Sequence, residues 1–356
     1  MKTTLLVVLL AALLLAGCAE TSHLAANTTV PTIPSPTTTN TIPPSPLPTN
    51  TAVPTATPVP HPMSILAMRL GSYPGSDIVV ERQLERGANY RRYYAYYFSE
   101  GMKIYGLLII PEGDMPIGGW PAILFNHGYI PPDVYRTTER YVNYVDRIAR
   151  SGYIVYRIDY RGHDQSEGEA GGAYGNPGYQ IDVLNALASL KKHPQVNPEK
   201  IGVWGHSMGG YLVLRAMVIS PDLKAGVIWA GVLASYPEML YNWRRAGSFT
   251  ASPSSRGVGW RTQWINQYGT PEGNPEFWAS ISASSYLSDL SGPLQLHHGT
   301  ADKDVPLEFS IRLAEQARLA GQIADLYVYE GDNHNISKYF TTAMDRTIAF
   351  FDQYLK

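Results

Sequence analysis

The sequence of 356 residues contains a single cysteine, Cys18, and few charged residues. One cysteine cannot form a disulfide within the chain, and a chain of this length can be stabilised by its core alone. Charged residues make up only 16 % of the total, and the net charge of −2 provides no basic surface for nucleic acid. The composition therefore excludes a fold held by internal disulfides and gives no reason to expect a nucleic-acid partner.

The lone cysteine closes an N-terminal targeting segment. Lys2 supplies a positive charge, residues 5–16 are apolar, and Leu-Ala-Gly precedes Cys18. This run is shorter than the roughly 20 residues of a membrane span and has the polarity of a secretory signal. The small residues before Cys18 resemble the lipobox of bacterial lipoproteins, which implies cleavage before Cys18 and lipid attachment to it. We therefore predict a lipoprotein signal peptide at residues 1–17 and an extracytoplasmic protein, lipid-anchored to a bacterial cell membrane. An ordinary signal peptide with a chance cysteine is the alternative.

Aspartate, glutamate, lysine and arginine are missing from residues 21–62, which hold 11 prolines and 12 threonines. Such a segment buries too little apolar surface to fold, and its prolines favour an extended polyproline conformation. We predict that residues 18–62 form a lipid-anchored, disordered linker and that residues 63–356 form the globular domain.

Within the globular domain, short apolar runs alternate with amphipathic helix-like segments. This alternation predicts an α/β fold with a mostly parallel central sheet and helices on both faces. Three earlier strand-like segments, at residues 77–85, 90–98 and 102–110, are expected at one edge of the sheet. The connection at about residues 233–291 is too long for a turn and predicts a helical lid insertion. The later strands are predicted at residues 121–127, 153–160, 200–205, 225–231, 293–298 and 324–329, and the helices at 134–150, 179–192, 207–218, 307–320 and 336–355.

The sequence Gly-His-Ser-Met-Gly at residues 205–209 follows a predicted buried strand and opens a predicted helix. This order is typical of a nucleophile elbow, in which the serine lies on a strained turn between strand and helix. Gly205 and Gly209 flank Ser207 because the neighbouring backbone leaves no room for a Cβ atom. The helix N-terminus would also face an oxyanion formed there. The pattern predicts Ser207 as the nucleophile of an α/β-hydrolase.

A nucleophilic serine needs a base and an acid that orients the base, and in this fold they follow the serine in the order acid, histidine. Of nine histidines, only His334 combines this order with a loop at the carboxyl end of a predicted strand. For the acid, Asp302 and Asp304 compete and Asp332 is a distant third. Asp304 is expected to cap the helix that follows it.

Three motifs together resemble the catalytic domain of the prolyl oligopeptidase (S9) family of serine peptidases. They are Gly-His-Ser-Met-Gly-Gly at residues 205–210, His-Gly-Thr-Ala-Asp at 298–302 with Val-Pro at 305–306, and Asp-Asn-His at 332–334. Residues 159–163 also resemble that family and related esterases, and the resemblance covers roughly residues 100–356. It implies Ser207 as nucleophile, Asp302 as acid and His334 as base. Neither a metal nor another cofactor is expected, because acyl transfer by such a triad requires none.

Two backbone amides are predicted to form the oxyanion hole. The first belongs to Met208, the residue after the nucleophile, and the second to Tyr129, in the loop after the strand at residues 121–127. Prolyl oligopeptidases proper use a tyrosine hydroxyl near the position that His127 occupies here. This departure favours esterase-like relatives.

The expected substrate is a short peptide or a carboxylic ester. Peptidases of the resembled family usually carry a large β-propeller, for which the few residues between Met63 and the hydrolase strands leave no room. A catalytically inactive, surface-anchored binding lipoprotein is the alternative, and it predicts a broken triad. Aromatic residues of the insertion either line a substrate pocket or form the core of the insertion itself; they are Tyr236, Tyr241, Trp243, Trp260, Trp264, Tyr268 and Trp278.

Overall fold

In a computed structural model of the protein, residues 59–243 and 260–356 are described. They belong to the second of the two units into which the chain divides, Pro58–Lys356. The signal peptide predicted at residues 1–17, Cys18 and most of the linker predicted at residues 18–62 lie outside the described residues. Within the described ranges, no helix is both long and apolar enough to cross a membrane.

The strands form one nine-stranded sheet with the order β1-β2-β3-β5-β4-β6-β7-β8-β9. Strands β1, β2 and β3 pair antiparallel at one edge, and β3 joins β5 in the same way. Every later pair is parallel, as the alternation of strands and helices predicted. The strands are β1 (Val79–Gln83), β2 (Tyr90–Ser99), β3 (Met102–Pro111), β4 (Trp120–Asn126), β5 (Ile154–Ile158), β6 (Val196–His206), β7 (Ala225–Trp229), β8 (Leu294–Gly299) and β9 (Ala324–Tyr329).

Helices cover both faces of the sheet, because the central parallel strands are apolar on both sides. Ala122 and Leu124 of β4 contribute to one hydrophobic cluster, whereas Ile123 and Phe125 contribute to the other. The first cluster includes residues of α3, α4 and α8, and the second includes residues of α2 and α9. The helices are α1 (Ile65–Leu70), α2 (Val142–Arg150), α3 (Gly178–Lys192), α4 (Met208–Ile219), α5 (Tyr236–Tyr241), α6 (Trp260–Tyr268), α7 (Pro275–Ile281), α8 (Leu307–Leu319) and α9 (Phe340–Leu355).

The helix predicted at residues 134–150 forms only in its second half, where it is α2. Residues before Val142 instead form a loop whose polar groups bind buried side chains. The hydroxyl groups of Tyr135 and Thr137 donate to the buried carboxylate of Asp159, and the guanidinium of Arg157 donates to the Thr137 carbonyl. These long-range hydrogen bonds satisfy polar groups that a helix would have left without their partners, so they override the local pattern.

Helices α5, α6 and α7 and a 3-10 helix (Ala283–Asp289) lie between β7 and β8. Several aromatic side chains described there pack on one another. The rings of Tyr236 and Trp264 are parallel with centroids 5.7 Å apart, and Trp278 is fully buried against both. These three residues therefore form a core for the insertion, which was one of the two interpretations of the sequence, whereas the side chain of Tyr241 is exposed. The side chain of Trp260 lies outside the described residues.

Candidate active site

Ser207 lies at the sharp turn between β6 and α4, with φ of 54° and ψ of −116°. A non-glycine residue in this region is strained, at a cost of about 1–3 kcal/mol that the surrounding structure must offset. The Ser207 amide donates to the carbonyl of Trp229 at 2.9 Å, which fixes the turn to the end of β7. A Cβ atom on Gly209 would collide with the Asn126 carbonyl, and one on Gly205 with the Gly209 carbonyl. The two flanking glycines are thus required for the close approach that the motif predicted.

The backbone amides predicted for the oxyanion hole lie on two elements beside the serine. Met208 is the first residue of α4, so its N–H group has no acceptor within the helix. Tyr129 follows β4, whose last residue, Asn126, pairs with Gly205. The neighbouring amide of Gly128 already donates to the Tyr141 hydroxyl at 2.9 Å.

His334 and Asp302 form a hydrogen bond between loops that follow β9 and β8. The His334 Nδ1 atom lies 2.7 Å from Asp302 Oδ2, and the Asp302 side chain is almost fully buried. His298 Nε2 lies 3.1 Å from the same oxygen. The other oxygen, Oδ1, accepts hydrogen bonds from the amides of Asp304 and Val305 at 2.8 and 3.0 Å. Burial alone would raise the pKa of the Asp302 carboxyl, but hydrogen bonds from His298 and His334 outweigh it and hold this pKa below its usual range.

The other two candidate acids have different surroundings. Helix α8 has Pro306 as its N-cap, so the prediction that Asp304 caps this helix is wrong. Asp302 Oδ1 instead holds the turn before the helix, where it accepts from the amides of Asp304 and Val305. The carboxylate of Asp332 accepts from the amides of Asn333, Lys338 and Tyr339. It therefore shapes the loop that carries His334, and these bonds delay the start of α9 from the predicted residue 336 to Phe340.

Asp302, Asp304 and His334 each place one potential metal ligand within 4.8 Å of the others. Both oxygens of Asp302, however, accept hydrogen bonds from protein donors, and one of these donors is His334 Nδ1. A metal ion would have to displace those bonds. The arrangement therefore suits an acid that orients an imidazole.

His206, the residue before Ser207 in the elbow, connects the two sides of the site. Its Nε2 atom lies 3.0 Å from the His334 carbonyl oxygen and must donate to it. Nδ1 is then unprotonated and accepts from the Tyr141 hydroxyl at 2.8 Å. Burial, together with the nearby charge of His334, lowers the pKa of His206 to about 3, so this tautomer stays neutral. Since Tyr141 also accepts from the Gly128 amide, one hydrogen-bond chain links the His334 loop to the loop of Tyr129.

An open cleft of about 420 Å³ contains both Ser207 and His334. Tyr129 lies at its edge with its side chain about half exposed. The described residues that line the cleft include none from the aromatic core of the insertion. They are Gly128, Tyr129, Ile130, Pro131, Val134, Arg140, Tyr141, Tyr144, His206, Ser207, His334 and Asn335.

Comparison with known proteins identifies a family of peptidases. Residues 141–356, more than half of the chain, match the sequence profile of the "Prolyl oligopeptidase family". The chain is also 24 % identical over 274 residues to "Uncharacterized peptidase YtmA" of Bacillus subtilis (strain 168). That alignment covers 76 % of this chain and 96 % of the relative.

Solved structures of peptidases and of esterases share the fold. An acylaminoacyl peptidase of Pyrococcus horikoshii superposes with a TM-score of 0.60 at 23 % identity, over 76 % of this chain and 42 % of the peptidase chain. An acetyl xylan esterase from Paenibacillus sp. R4 superposes with a TM-score of 0.60 at 18 % identity, over 82 % of this chain and 92 % of the esterase. The architecture is therefore the α/β-hydrolase fold, as predicted. Both a peptidase and an esterase have this fold.

Proposed function

The chain belongs to the prolyl oligopeptidase family and is a serine hydrolase, and we propose that it cleaves acyl bonds of short peptides or carboxylic esters through Ser207. In this proposal His334 is the base and Asp302 the acid that orients it. The observation that carries the assignment is the 2.7 Å hydrogen bond between His334 Nδ1 and Asp302 Oδ2, beside a serine on a strained turn in the same cleft.

The geometry supports an acyl-enzyme mechanism. Because Nδ1 of His334 is bonded to Asp302, its Nε2 atom is left to accept the proton of Ser207 as the hydroxyl attacks the substrate carbonyl. The amides of Met208 and Tyr129 would stabilise the resulting oxyanion, each by about 3 kcal/mol. His334 then gives its proton to the leaving group, and water attacks the acyl-enzyme with His334 again as base.

Three features are compatible with both carboxylic esters and short peptides as substrates. His127 is fully buried, with its Nδ1 atom 2.7 Å from the Gly128 carbonyl and its ring stacked on Tyr135. It therefore cannot replace the tyrosine hydroxyl donor of the peptidases proper, which leaves the backbone amide of Tyr129 as the second donor. The open cleft admits small acyl groups, and an acetyl xylan esterase shares the fold.

A panel of chromogenic carboxylic esters and aminoacyl anilides tests the proposal on the full-length protein. We expect the wild type to hydrolyse members of the panel and Ser207→Ala to lose about 10⁴-fold or more of that activity. Ser220→Ala, at the far end of the helix that Ser207 begins, serves as the matched control and should keep it. Hydrolysis that survives Ser207→Ala would overturn the mechanism. A folded wild type that turns over nothing would favour the inactive binding protein, and turnover of anilides alone would assign a peptidase.

We also propose that the enzyme acts outside the cytoplasm, held to the membrane by a lipid on Cys18. The support is the position of the only cysteine, directly after an apolar segment that ends in small residues. Radioactive fatty acid should label the wild type in cells and not Cys18→Ala, and equal labelling of both would rule the anchor out.

A further inference from the structure

The cleft that contains Ser207 and His334 has a single formal cation and no carboxylate among its described lining residues. The cation is Arg140. The carboxylate of Asp302, which is bonded to His334, is buried, and its oxygens accept hydrogen bonds from protein groups. Among the described residues that line this cleft, a substrate therefore meets one positive charge and no carboxylate that could bind an ammonium ion.

The backbone of Arg140 is held in an unusual conformation. Arg140 has φ of 56° and Tyr141 φ of 49°, two consecutive non-glycine residues in the left-handed region. Each such residue costs about 1–3 kcal/mol, so contacts with the surrounding structure must stabilise the turn. The buried guanidinium of Arg157 donates to the carbonyls of Arg140 and Glu139, and the Tyr141 hydroxyl is held by Gly128 and His206. The turn is thereby fixed at the edge of the cleft.

No described residue forms an ion pair with Arg140. Arg147 and Arg150, later on the same segment, pair with Asp345 and Asp146, whereas the exposed side chain of Arg140 has no ion pair among the described residues. Residues 244–259, which lie outside the described part, contain three arginines and no acidic residue. An uncompensated arginine beside a catalytic serine is a ready partner for a carboxylate, because its planar fork matches the two carboxylate oxygens.

The segment that carries Arg140 is attached to the loop that carries His334. The leaving atom must come within hydrogen-bond reach of His334, which protonates it. Asn335 follows His334, and its carbonyl accepts from the Tyr144 hydroxyl at 3.1 Å. The first turn of α2 is thus attached to the loop of His334, and Arg140 immediately precedes that turn.

We propose that Arg140 binds a carboxylate on the leaving group. This proposal rests on the proposed function and defines the substrates as acyl compounds whose leaving group carries a carboxylate. They are N-blocked short peptides with a free C-terminal carboxylate, or esters of carboxylate-bearing alcohols. Peptides that need a carboxylate partner for a free amino terminus are disfavoured by the same cleft.

Matched substrates that differ only in this charge test the proposal. The ester pair is 4-butyryloxybenzoate and 4-butyryloxybenzamide, and the peptide pair is N-acetyl-alanyl-alanine and its C-terminal amide. The rates of alkaline hydrolysis correct for intrinsic reactivity, and the two pairs show which class the enzyme accepts. We expect the full-length wild type to favour the carboxylate member of at least one pair by about tenfold or more in kcat/KM.

Variants of Arg140 should change this preference. Arg140→Gln should lower kcat/KM for the carboxylate member more than for the uncharged member and so lose the preference, and Arg140→Lys should keep part of it because the charge remains. Arg136→Gln, on the same loop but in a different hollow, is the matched control and should keep the full preference. In the wild type, the preference should also fall as salt is raised from about 50 mM to about 500 mM.

Failure of this inference is distinct from failure of the proposed function. Ser207-dependent hydrolysis of the uncharged members with no preference for the carboxylate would overturn the role of Arg140 alone. Equal effects of Arg140→Gln and Arg136→Gln would do the same. If Ser207→Ala leaves hydrolysis of every member unchanged, the proposed function itself is wrong.

Discussion

Three aspartates follow Ser207 in loops at one edge of the sheet, and their hydrogen-bond partners differ. Asp302 accepts from His334, from His298 and from two backbone amides. Asp332 accepts from backbone amides of its own loop, and Asp304 provides its carbonyl to the indole of Trp243. Of the three, only Asp302 is bonded to the imidazole of His334 through its carboxylate in the described structure, which supports its role as the acid.

Asp302→Asn should reduce kcat by about 10⁴-fold, because an amide neither holds the required tautomer of His334 nor stabilises its charged form. The pKa of Asp302 is depressed in the folded state, so its carboxylate stabilises the protein above the unfolded pKa and loses this effect only as pH falls through the folded value. The carboxylate therefore stays charged at neutral pH, and the loss should be equal at about pH 6 and about pH 8.

Asp304→Asn is the matched control for Asp302→Asn, since the two residues share one loop. Steady-state rates of Asp304→Asn on the same ester should stay within about threefold of the wild type. A loss at Asp304 as large as that at Asp302 would contradict the assignment of the acid.

At the scale of elements, the first turn of α2 and the elbow of β6 and α4 act together. Tyr141, just before α2, accepts a hydrogen bond from Gly128 and donates to His206, which in turn donates to the His334 carbonyl. Neither Tyr141 nor His206 touches the reacting atoms in the proposed mechanism. They connect the loop of Tyr129, the proposed oxyanion donor, to the loop of His334, the proposed base.

Tyr141→Phe should lower kcat by roughly 10- to 100-fold with little change in KM. Without the Tyr141 hydroxyl the loop of Tyr129 is held less firmly, which weakens binding of the oxyanion in the transition state more than binding of the substrate. The affinity for a boronate that mimics the tetrahedral state should fall by a similar factor. Tyr153→Phe removes a comparable hydrogen bond, to Asp352 at 2.7 Å, away from the site and is the matched control. If Tyr141→Phe lowers the melting temperature but leaves kcat unchanged, the role of Tyr141 is purely structural.

Across the whole molecule, buried histidines make stability depend on pH. His127, His206 and His297 are fully or almost fully buried, and burial is the main cause that lowers the pKa of each. For His297 the folded pKa is about 3, below the unfolded value of 6.5, so between these values the unfolded state binds the extra proton. The contribution of His297 to the unfolding free energy therefore rises with pH between about 3 and 6.5 and is lost on acidification.

His297→Gln removes one such group outside the catalytic cleft. The wild type should lose about 2 kcal/mol of unfolding free energy from His297 alone between pH 7 and pH 5. The variant is expected to be less stable at both pH values, because the hydrogen bonds to Gln295 and Tyr329 are lost. Its unfolding free energy should nevertheless decrease less between pH 7 and pH 5 than that of the wild type, by about 2 kcal/mol. Urea unfolding at the two pH values measures the difference, and parallel losses in both proteins would contradict it.

The order of strands and helices, the fold class and the strand-turn-helix around Ser207 followed from the sequence. These features depend on local periodicity and on glycines whose missing Cβ atoms are visible in the residue type itself. The sequence also reduced the acid to Asp302, Asp304 or Asp332, and resemblance selected Asp302. It predicted a helix at residues 134–150 because apolar spacing there is helical, although the first half is a loop.

Only the tertiary structure showed which groups meet. The loop before α2 is decided by buried partners such as Asp159 and Arg157, far away in the chain, and no periodicity reports them. Nor does periodicity report the bonds from His298 to Asp302 and from Tyr141 to His206, or the position of Arg140 in the cleft. Residue type and local spacing determine what each segment forms alone. Hydrogen bonds and charges between distant segments depend on geometry that exists only once the sheet has brought its strand ends together.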